Sequence, residues 1–350
     1  MSPHRWQAIW ARRQLSARLL WPIAAVYGVL VGLRRRLYQW RWLRIHRLPV
    51  PVVVVGNVVV GGAGKTPAVI ALIEHLRARG WRPGVISRGY GRQGRDVVAV
   101  EHDTPAHLSG DEPALIHRRT GVPVFVAARR ADAGRALLAA HPEVNLLLCD
   151  DGLQHWALAR DVALAIFDER GSGNGWLLPA GLLREPWPPR TGTPFAPDLL
   201  LVQHSSGTPM PALPRPAHLP CWSARRQLSD TAWGPHGATT GLQTLARQPV
   251  TALAGIARPE AFFAMLRARG LRVARTCPLP DHATEADYRR LPMTRGEVLV
   301  CTEKDAVKLF ACLPPGVTAW AIPLVLQTDT AFWTALDTLL AQRASRAAAS

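Results

Sequence analysis

A glycine-rich stretch that follows an apolar, β-branched run carries the residues with the clearest chemistry. Its six residues are Gly61, Gly62, Ala63, Gly64, Lys65 and Thr66. In such a turn, backbone N–H groups and the start of the following helix bind phosphate oxygens. Lys65 is placed to reach the β- and γ-phosphates of a nucleotide, and Thr66 to offer its hydroxyl to Mg²⁺. The spacing predicts a P-loop that binds ATP, with Lys65 as a candidate catalytic cation.

One position departs from the usual P-loop pattern. Val59 stands where the first glycine of G-x-x-x-x-G-K-[ST] is expected. Gly61 and Gly62 can supply the tight turn instead, because glycine adopts left-handed backbone conformations without a steric penalty. The alternative interpretation is a strand-to-helix turn that binds no ligand.

Two adjacent carboxylates end a second apolar run. Asp150 and Asp151 follow Leu146 to Cys149, which has the pattern of a buried strand. Carboxylates at such a strand end hold Mg²⁺ in nucleotide-binding proteins, directly or through water. Solvated turn acids are the alternative, but a P-loop elsewhere in the chain favours a metal site.

Other segments carry weaker signals. Asp111 lies in the segment Gly110 to Pro113, and acidic residues before a proline commonly begin a helix. His282 follows Pro280-Asp281, and a lone histidine in a loop is more often structural than catalytic. Ser87 to Arg92 is either an anion-binding loop or an ordinary turn. Spacing alone does not show that these distant segments meet.

Apolar runs alternate with segments long enough for helices over most of the chain. The first strand candidates are Val52 to Val60, Gly84 to Ser87, Val122 to Ala127, Val144 to Cys149, Ala163 to Phe167 and Leu199 to Gln203. After a Pro-, Ser- and Gly-rich stretch, they are Val250 to Ala254, Leu271 to Thr276, Val298 to Thr302 and Ala319 to Pro323. The alternation predicts an α/β fold with a mostly parallel sheet and helices on both faces, plus a smaller second α/β unit.

The N-terminal segment combines an apolar stretch with arginines and aromatic residues. Leu19 to Leu33 is preceded by three arginines and closed by Arg34 to Arg36. The stretch is shorter than the roughly 20 residues that cross a bilayer core, and Pro22 lies near its start. A signal peptide is excluded, because arginines stand where a cleavage site is expected. An interfacial helix, a short anchor and a buried helix remain, and the flanking Trp and Tyr residues favour membrane contact.

Composition narrows the class of protein. The 350 residues are 48% hydrophobic and 19% charged, which indicates a folded chain rather than a disordered one. The formal net charge of +17 favours anionic partners such as nucleotide phosphates, lipid headgroups or nucleic acid. The five cysteines form no C-x-x-C pair, which favours free thiols in a reducing compartment over a zinc site.

Taken together, these segments resemble the tetraacyldisaccharide 4′-kinase family, which phosphorylates the lipid A precursor at the inner membrane of Gram-negative bacteria. The resemblance covers nearly the whole chain. Its segments are Gly56-Asn57, Gly61 to Pro67, Ser87 to Arg92, Gly110 to Pro113, Asp150 to His155, Leu177 to Pro186, Gly255 to Pro259, Pro280 to His282 and Thr302 to Leu309. The family has the same P-loop variant, so Val59 fits.

The resemblance implies roles for individual residues. The loop with Lys65 and Thr66 would bind the ATP phosphates and the metal. Asp150, Asp151 and Glu185 would form the acidic environment of Mg²⁺.

The resemblance also implies that two further residues act as a pair. Asp111 and His282 would form a catalytic pair, from two domains, that takes the proton from the sugar hydroxyl. Ala283 departs from the second histidine that is usual in the family, so no role rests on that position.

The sequence pattern and the resemblance together predict boundaries and partners. We expect a membrane-associated helical segment at 1–48, a P-loop kinase domain at 49–204, a linker region at 205–245 and a smaller α/β domain at 246–342. The expected acceptor is an acylated glucosamine disaccharide 1-phosphate, and the expected location is the cytoplasmic face of the inner membrane, on anionic lipids. We expect no nucleic-acid partner and no obligatory protein partner.

Two other classes of protein compete with this interpretation. A P-loop GTPase or ATPase switch acting on a protein is the main alternative, but Lys304 directly precedes Asp305, and a guanine-recognition motif needs a residue between them. A nucleic-acid-binding protein fits the charge, but the sequence shows no corresponding module.

Overall fold

Two β-sheets, each covered by helices, form the protein. The computed structural model describes Trp6 and residues 9–61, 64–190, 192–205 and 210–348, with side chains as far as residue 344. Within these ranges, nine strands form the larger sheet and six the smaller one.

The larger sheet contains the strands expected to position the site. Its strands are β1 (Val52–Gly56), β2 (Pro83–Ser87), β3 (Val98–Ala99), β4 (Val124–Val126), β5 (Leu146–Asp150), β6 (Val162–Phe167), β7 (Leu199–Ser205), β8 (Cys221–Leu228) and β15 (Leu324–Thr328). Their order across the sheet is β15-β8-β7-β6-β1-β5-β2-β4-β3. The two edge strands, β15 and β3, pair antiparallel with their neighbours, and the other pairs are parallel. The carboxyl ends of β1 and β5 therefore lie side by side.

Both faces of this sheet are apolar because its strands are almost continuously hydrophobic. Val53 and Val55 of β1 pack into one buried cluster, and Val52 and Val54 into the cluster on the opposite face. This alternation follows from the two-residue period of a strand. Helices cover both clusters, which confirms the predicted α/β architecture with helices on both faces.

In the described residues, the helices with defined bounds are longest near the two ends of the chain. They are α1 (Leu15–Gln39), α2 (Lys65–Ala78), α3 (Ala106–Ser109), α4 (Asp111–Thr120), α5 (Arg130–Ala140), α6 (Leu242–Leu245), α7 (Pro259–Ala268), α8 (Glu285–Arg289), α9 (Glu303–Leu309) and α10 (Thr330–Ala348). Single 3₁₀ turns lie at Pro235–Gly237 and Phe310–Cys312.

The smaller sheet lies in the C-terminal part of the chain. Its strands are β9 (Thr231–Trp233), β10 (Thr239–Gly241), β11 (Pro249–Ala254), β12 (Arg272–Pro278), β13 (Val298–Thr302) and β14 (Thr318–Ile322). The order is β10-β9-β14-β13-β11-β12, with the last four strands parallel. A separate pair of apolar clusters covers its two faces.

The observed elements depart from the expected boundaries in two places. The segment 205–245, expected to be a linker, contributes β8 to the larger sheet and β9 and β10 to the smaller one. The chain then returns after β14: β15 pairs with β8, and α10 packs Phe332 and Leu336 against the larger sheet. These pairings are made between distant segments, so local composition does not reveal them. The division into two domains stays a prediction.

The first helix is longer than the apolar stretch that predicted it. It runs from Leu15 to Gln39 and continues through Pro22, which lies inside the helix. A proline at such a position removes one backbone hydrogen bond, but it does not end this helix.

Candidate active site

The glycine-rich turn joins β1 to α2 in the way the sequence predicts. Gly61 and Gly64 have φ angles of 89° and 73°, which non-glycine residues rarely adopt. Lys65 and Thr66 are the first two residues of α2, so their backbone N–H groups lie at the positive end of the helix. Gly62 and Ala63, both predicted to bind the nucleotide, lie outside the described residues.

Two buried amide side chains hold the turn in place. The Asn57 side chain donates a hydrogen bond of 3.2 Å to the carbonyl of Gly61, and Gln203 donates one of 2.9 Å to the carbonyl of Gly64. Neither side chain is exposed to solvent. Sequence reasoning missed Gln203, although a glutamine at the end of an apolar strand was an available signal.

The acidic strand end lies beside the turn. Val55 of β1 is in register with Asp150, the last residue of β5, so the two carboxylates at this strand end lie near the start of α2. Lys65 Nζ lies 3.5 Å from Asp151 Oδ1, and Arg184 Nη1 lies 3.0 Å from the same oxygen. Burial opposes ionisation of Asp151, but these two cations outweigh it and hold its pKa below the ordinary value.

Asp150 has a different environment. It is 1% exposed, and the hydroxyl of Ser87, 3.5 Å from its Oδ2, is a weak partner. Its Oδ1 is buried and has no hydrogen-bonding partner within the described part of the chain. Burial, reinforced by the charge of Glu112, raises the pKa of Asp150 well above its usual range. A buried carboxylate with an unpaired oxygen is the kind of ligand that a divalent cation would stabilise.

The protein would supply only part of a metal coordination sphere. No group of three or more His, Cys, Asp or Glu side chains converges as a metal site among the residues described. Asp150, Asp151 and the hydroxyl of Thr66 can provide a few oxygens, and phosphate oxygens and water can complete the octahedron that Mg²⁺ prefers. The residues present therefore fit Mg²⁺ bound together with a nucleotide.

Glu185, the other predicted metal ligand, has different partners. Its carboxylate pairs with Arg35 of α1 and accepts a hydrogen bond of 2.7 Å from Gln154. The partners of Asp151 are Lys65 and Arg184 instead. The contacts of Glu185 thus link α1 to the rest of the protein, and its role at a metal stays a prediction.

Asp111 and His282 meet, although 171 positions separate them. Asp111 is the first residue of α4, and His282 lies after β12 with a left-handed φ of 60°. Nδ1 of His282 lies 3.2 Å from Oδ2 of Asp111. Lys308 of α9, which sequence reasoning did not single out, contributes an ammonium group 2.7 Å from Oδ1 of Asp111.

These contacts determine the protonation state of Asp111 and His282. Burial disfavours the charge on Asp111, but the hydrogen bonds from His282 and Lys308 outweigh burial and lower its pKa. An ionised Asp111 accepts a hydrogen bond from Nδ1–H of His282, so the free lone pair of the imidazole is then on Nε2. An imidazole held in this way can accept a proton from a hydroxyl group.

The pair lies at the same edge of the protein as the acidic strand end. Glu112, the neighbour of Asp111 in the first turn of α4, is close enough to Asp150 to raise its pKa. The loop after β2 adjoins both: Cα of Gly89 lies 3.0 Å from where a Cβ on Gly110 would stand. In the same loop, the exposed ring of Tyr90 lies 5.5 Å from the ring of His282. A chain of contacts therefore connects the turn, the two carboxylates and the histidine.

Ion pairs connect the two sheets around this region. Arg119 at the end of α4 pairs with Glu303 at the start of α9, which also accepts a hydrogen bond from Trp233. Arg258, before α7, pairs with Glu169 at 3.1 Å. These ion pairs join segments of the larger sheet to segments of the smaller one.

The first helix presents one apolar face to solvent. Six apolar residues at spacings of three and four form a stripe along it: Leu15, Leu19, Ile23, Val26, Leu30 and Leu33. The opposite face contacts the protein, where the hydroxyl of Tyr27 donates a 2.7 Å hydrogen bond to the carbonyl of Arg184. This helix is long and apolar enough to cross a membrane, a test of length and composition only.

The fold and the site define a P-loop phosphotransferase: a nucleotide-binding turn, an acidic strand end and an Asp–His pair that can act on a hydroxyl group. The chain belongs to the tetraacyldisaccharide-1-P 4′-kinase family, whose model matches residues 16–341. An ATPase or GTPase switch acting on a protein is therefore not favoured.

Curated relatives and a solved structure agree with this assignment. The chain is 53% identical over 335 residues to the tetraacyldisaccharide 4′-kinase of Polaromonas naphthalenivorans, covering 95% of this chain and 93% of that protein. It is 51% identical over 341 residues to that of an Acidovorax species, covering 97% and 96%. Among solved structures, LpxK from Aquifex aeolicus, in complex with ATP, has a TM-score of 0.78 at 26% identity and covers 94% of this chain and 100% of its own.

Proposed function

We propose that this protein transfers the γ-phosphate of ATP to the 4′-hydroxyl of a tetraacylated glucosamine disaccharide 1-phosphate, a lipid A precursor. Membership of the family supports the reaction, and the ATP complex of the Aquifex aeolicus relative supports the nucleotide. The observation that carries the proposal is the contact of His282 with Asp111 at the edge where the P-loop and Asp150 lie. An enzyme that only hydrolyses ATP has no need of a base for a sugar hydroxyl.

The nucleotide half of the site would bind phosphate with Lys65, Thr66 and the backbone of the turn. Mg²⁺, held by Thr66, Asp150 and Asp151, would neutralise charge on the phosphate oxygens. Lys65 would stabilise the charge that develops on the transferred phosphoryl group. Its ion pair with Asp151 holds the ammonium group beside the turn.

The acceptor half would position and deprotonate the hydroxyl. His282 would take the proton on Nε2, while Asp111 holds the ring through Nδ1 and stabilises the imidazolium that forms. Lys308 would keep Asp111 ionised, because it lies 2.7 Å from the second oxygen of that carboxylate. Phosphoryl transfer needs mainly this placement of two oxygens in line.

The first helix supports a location for the acceptor. We infer that this helix lies in the interface of the membrane rather than across it, at the cytoplasmic face of the inner membrane. Its inner face is held against the protein by Tyr27 and Arg35, and its outer face is the apolar stripe. A helix bound along its length to a folded protein can insert only its outer face into lipid. The net charge of +17 would add attraction to anionic headgroups.

A transfer assay tests the proposal. The wild-type protein, Mg²⁺ and γ-labelled ATP are incubated with the acylated disaccharide 1-phosphate in detergent, and label in the extracted lipid is counted. We expect labelled lipid from the wild type and almost none from Lys65→Ala, with both proteins folded by circular dichroism. If folded wild-type protein that binds ATP produced no labelled lipid, the proposed acceptor would be excluded.

A further inference from the structure

A cavity beside the C-terminal end of α1 has a lining that phosphoryl transfer does not use. Its volume is about 420 Å³, and its lining consists of Arg41, Leu43, Arg44, Ile45, Arg47 and Ala159. The lining thus combines three arginines with three apolar residues. We call it the arginine cavity. Guanidinium groups bind phosphate oxygens through paired N–H donors, so an anion with an apolar part matches this lining.

Most of the positive charge in the arginine cavity has no counter-charge. Arg47 pairs with Asp161 at 3.1 Å, on the protein surface. Over the ranges that the structure describes, Arg41 and Arg44 have neither an ion-pair nor a hydrogen-bonding partner for their side chains. Two cations therefore remain available for an external anion.

The walls of the cavity are held by the backbone. His46 donates a hydrogen bond of 2.8 Å to the carbonyl of Ala157 and accepts one of 2.8 Å from Ala159. Arg41 follows the last turn of α1 with a φ of 61°, a left-handed conformation in which glycine is the favoured residue after a helix. Backbone geometry therefore does not explain a long cationic side chain at this position.

The residues next to the arginine cavity are of the types found at membrane interfaces. Trp40 and Trp42, on either side of Arg41, are 55% and 76% exposed. Exposed indole rings collect at the headgroup level of bilayers. The apolar stripe of α1 leads to the same end of the helix, since its last member is Leu33.

We propose that the arginine cavity binds the phosphodiester headgroup of an anionic glycerophospholipid, with Arg41 and Arg44 on the phosphate oxygens. The apolar lining residues Leu43 and Ile45 favour a lipid over free phosphate, because a free phosphate ion gains nothing from apolar contact. The inference deepens the proposed membrane location of the kinase and rests on it. The bound lipid would orient the protein on the membrane that holds its acceptor.

The test uses the full-length protein in which Arg41→Gly and Arg44→Gln are combined. Binding to vesicles of phosphatidylglycerol and phosphatidylcholine is measured by co-sedimentation, without ATP or acceptor. Each cation near an anionic surface changes partitioning by roughly fivefold, so we expect about a 30-fold weaker affinity. The glycine fits the left-handed backbone, so the melting temperature should not fall.

A matched variant controls for net charge. Arg247→Gln combined with Arg267→Gln also removes two exposed arginines, but both lie in the part of the chain that forms the smaller sheet. This variant should lose less than about threefold in vesicle affinity. Equal losses for the two variants would overturn the proposal, because they would indicate diffuse attraction without a site.

Two further arms identify the source of the phosphate. Millimolar glycerol phosphate should not displace the wild-type protein from vesicles, and displacement would instead indicate a free-phosphate site. The KM for detergent-solubilised acceptor should be the same in the cavity variant and the wild type, and an increase would assign the cavity to the acceptor's own phosphate. Vesicle binding is measured without catalysis, so it tests the lipid site even if the protein does not catalyse the proposed kinase reaction.

Discussion

Replacing Asp111 and His282 singly and together tests whether the two side chains act as one base. The substitutions are Asp111→Asn, which keeps the size of the side chain, and His282→Ala. Nδ1 of the histidine lies 3.2 Å from the carboxylate, and Lys308 lies 2.7 Å from its other oxygen. Without the carboxylate charge, the Lys308 ammonium would stand unneutralised beside an imidazole that must become positive. Each substitution should therefore remove the same proton transfer.

The expected losses follow from this geometry. A positioned general base contributes about 10²–10⁴ in rate, so each single variant should lose about 10³ in kcat. That loss corresponds to about 4 kcal/mol of transition-state stabilisation. If the two residues act as one unit, the double variant should also lose about 10³. Independent contributions would multiply to about 10⁶.

The assay is single-turnover transfer of phosphate to acceptor, with the KM for ATP measured separately. The KM should change little, since neither side chain belongs to the P-loop. Glu303→Gln is the control, because Glu303 also joins α4 to α9 through Arg119 but does not contact His282. Multiplicative losses, or a Glu303→Gln variant as slow as the histidine variant, would refute a joint base.

Two other substitutions test the nucleotide half of the site. Asp150→Asn should abolish transfer but raise the melting temperature at neutral pH without metal. Burial raises the pKa of Asp150 to about 7, so ionisation of this carboxyl destabilises the wild-type fold as pH rises from about 4 to about 7. The gain in melting temperature over the wild type should therefore grow between these two pH values. A gain independent of pH in thermal denaturation would contradict this assignment. Gly64→Ala would place a Cβ against the Gln203 amide oxygen at a φ of 73°, so ATP affinity should fall and strain of about 1–2 kcal/mol should lower the melting temperature by a few degrees. Unchanged affinity by calorimetry would show that the turn tolerates a side chain.

Local spacing predicted the elements whose chemistry is contained in one short segment. Gly64, Lys65 and Thr66 join a strand to a helix as expected, and Asp150 and Asp151 end a buried strand. Each of these features depends on neighbours in the sequence, where strand and helix periods are visible. The parallel sheet followed for the same reason.

Contacts between residues far apart in the sequence could not be predicted from local residue spacing. The contact between Asp111 and His282 was expected only from the resemblance to a known family, and Lys308, which completes it, was missed. The pairing of β15 with β8 returns the end of the chain to the larger sheet, and nothing in either segment specifies the other. Glu185 is a further example, since its partner Arg35 belongs to the N-terminal helix, which the sequence did not connect to the site.

The central claim is tested most directly by measuring whether ATP consumption is coupled to phosphorylation of a single hydroxyl group. ADP release and phosphate incorporation are measured in the same reaction, with the acylated disaccharide 1-phosphate and with its 4′-deoxy analogue. The account predicts one ADP for each phosphorylated lipid with the natural acceptor and no phosphate transfer to the analogue. Phosphorylation of the 4′-deoxy analogue, or ADP release without lipid phosphorylation, would contradict it.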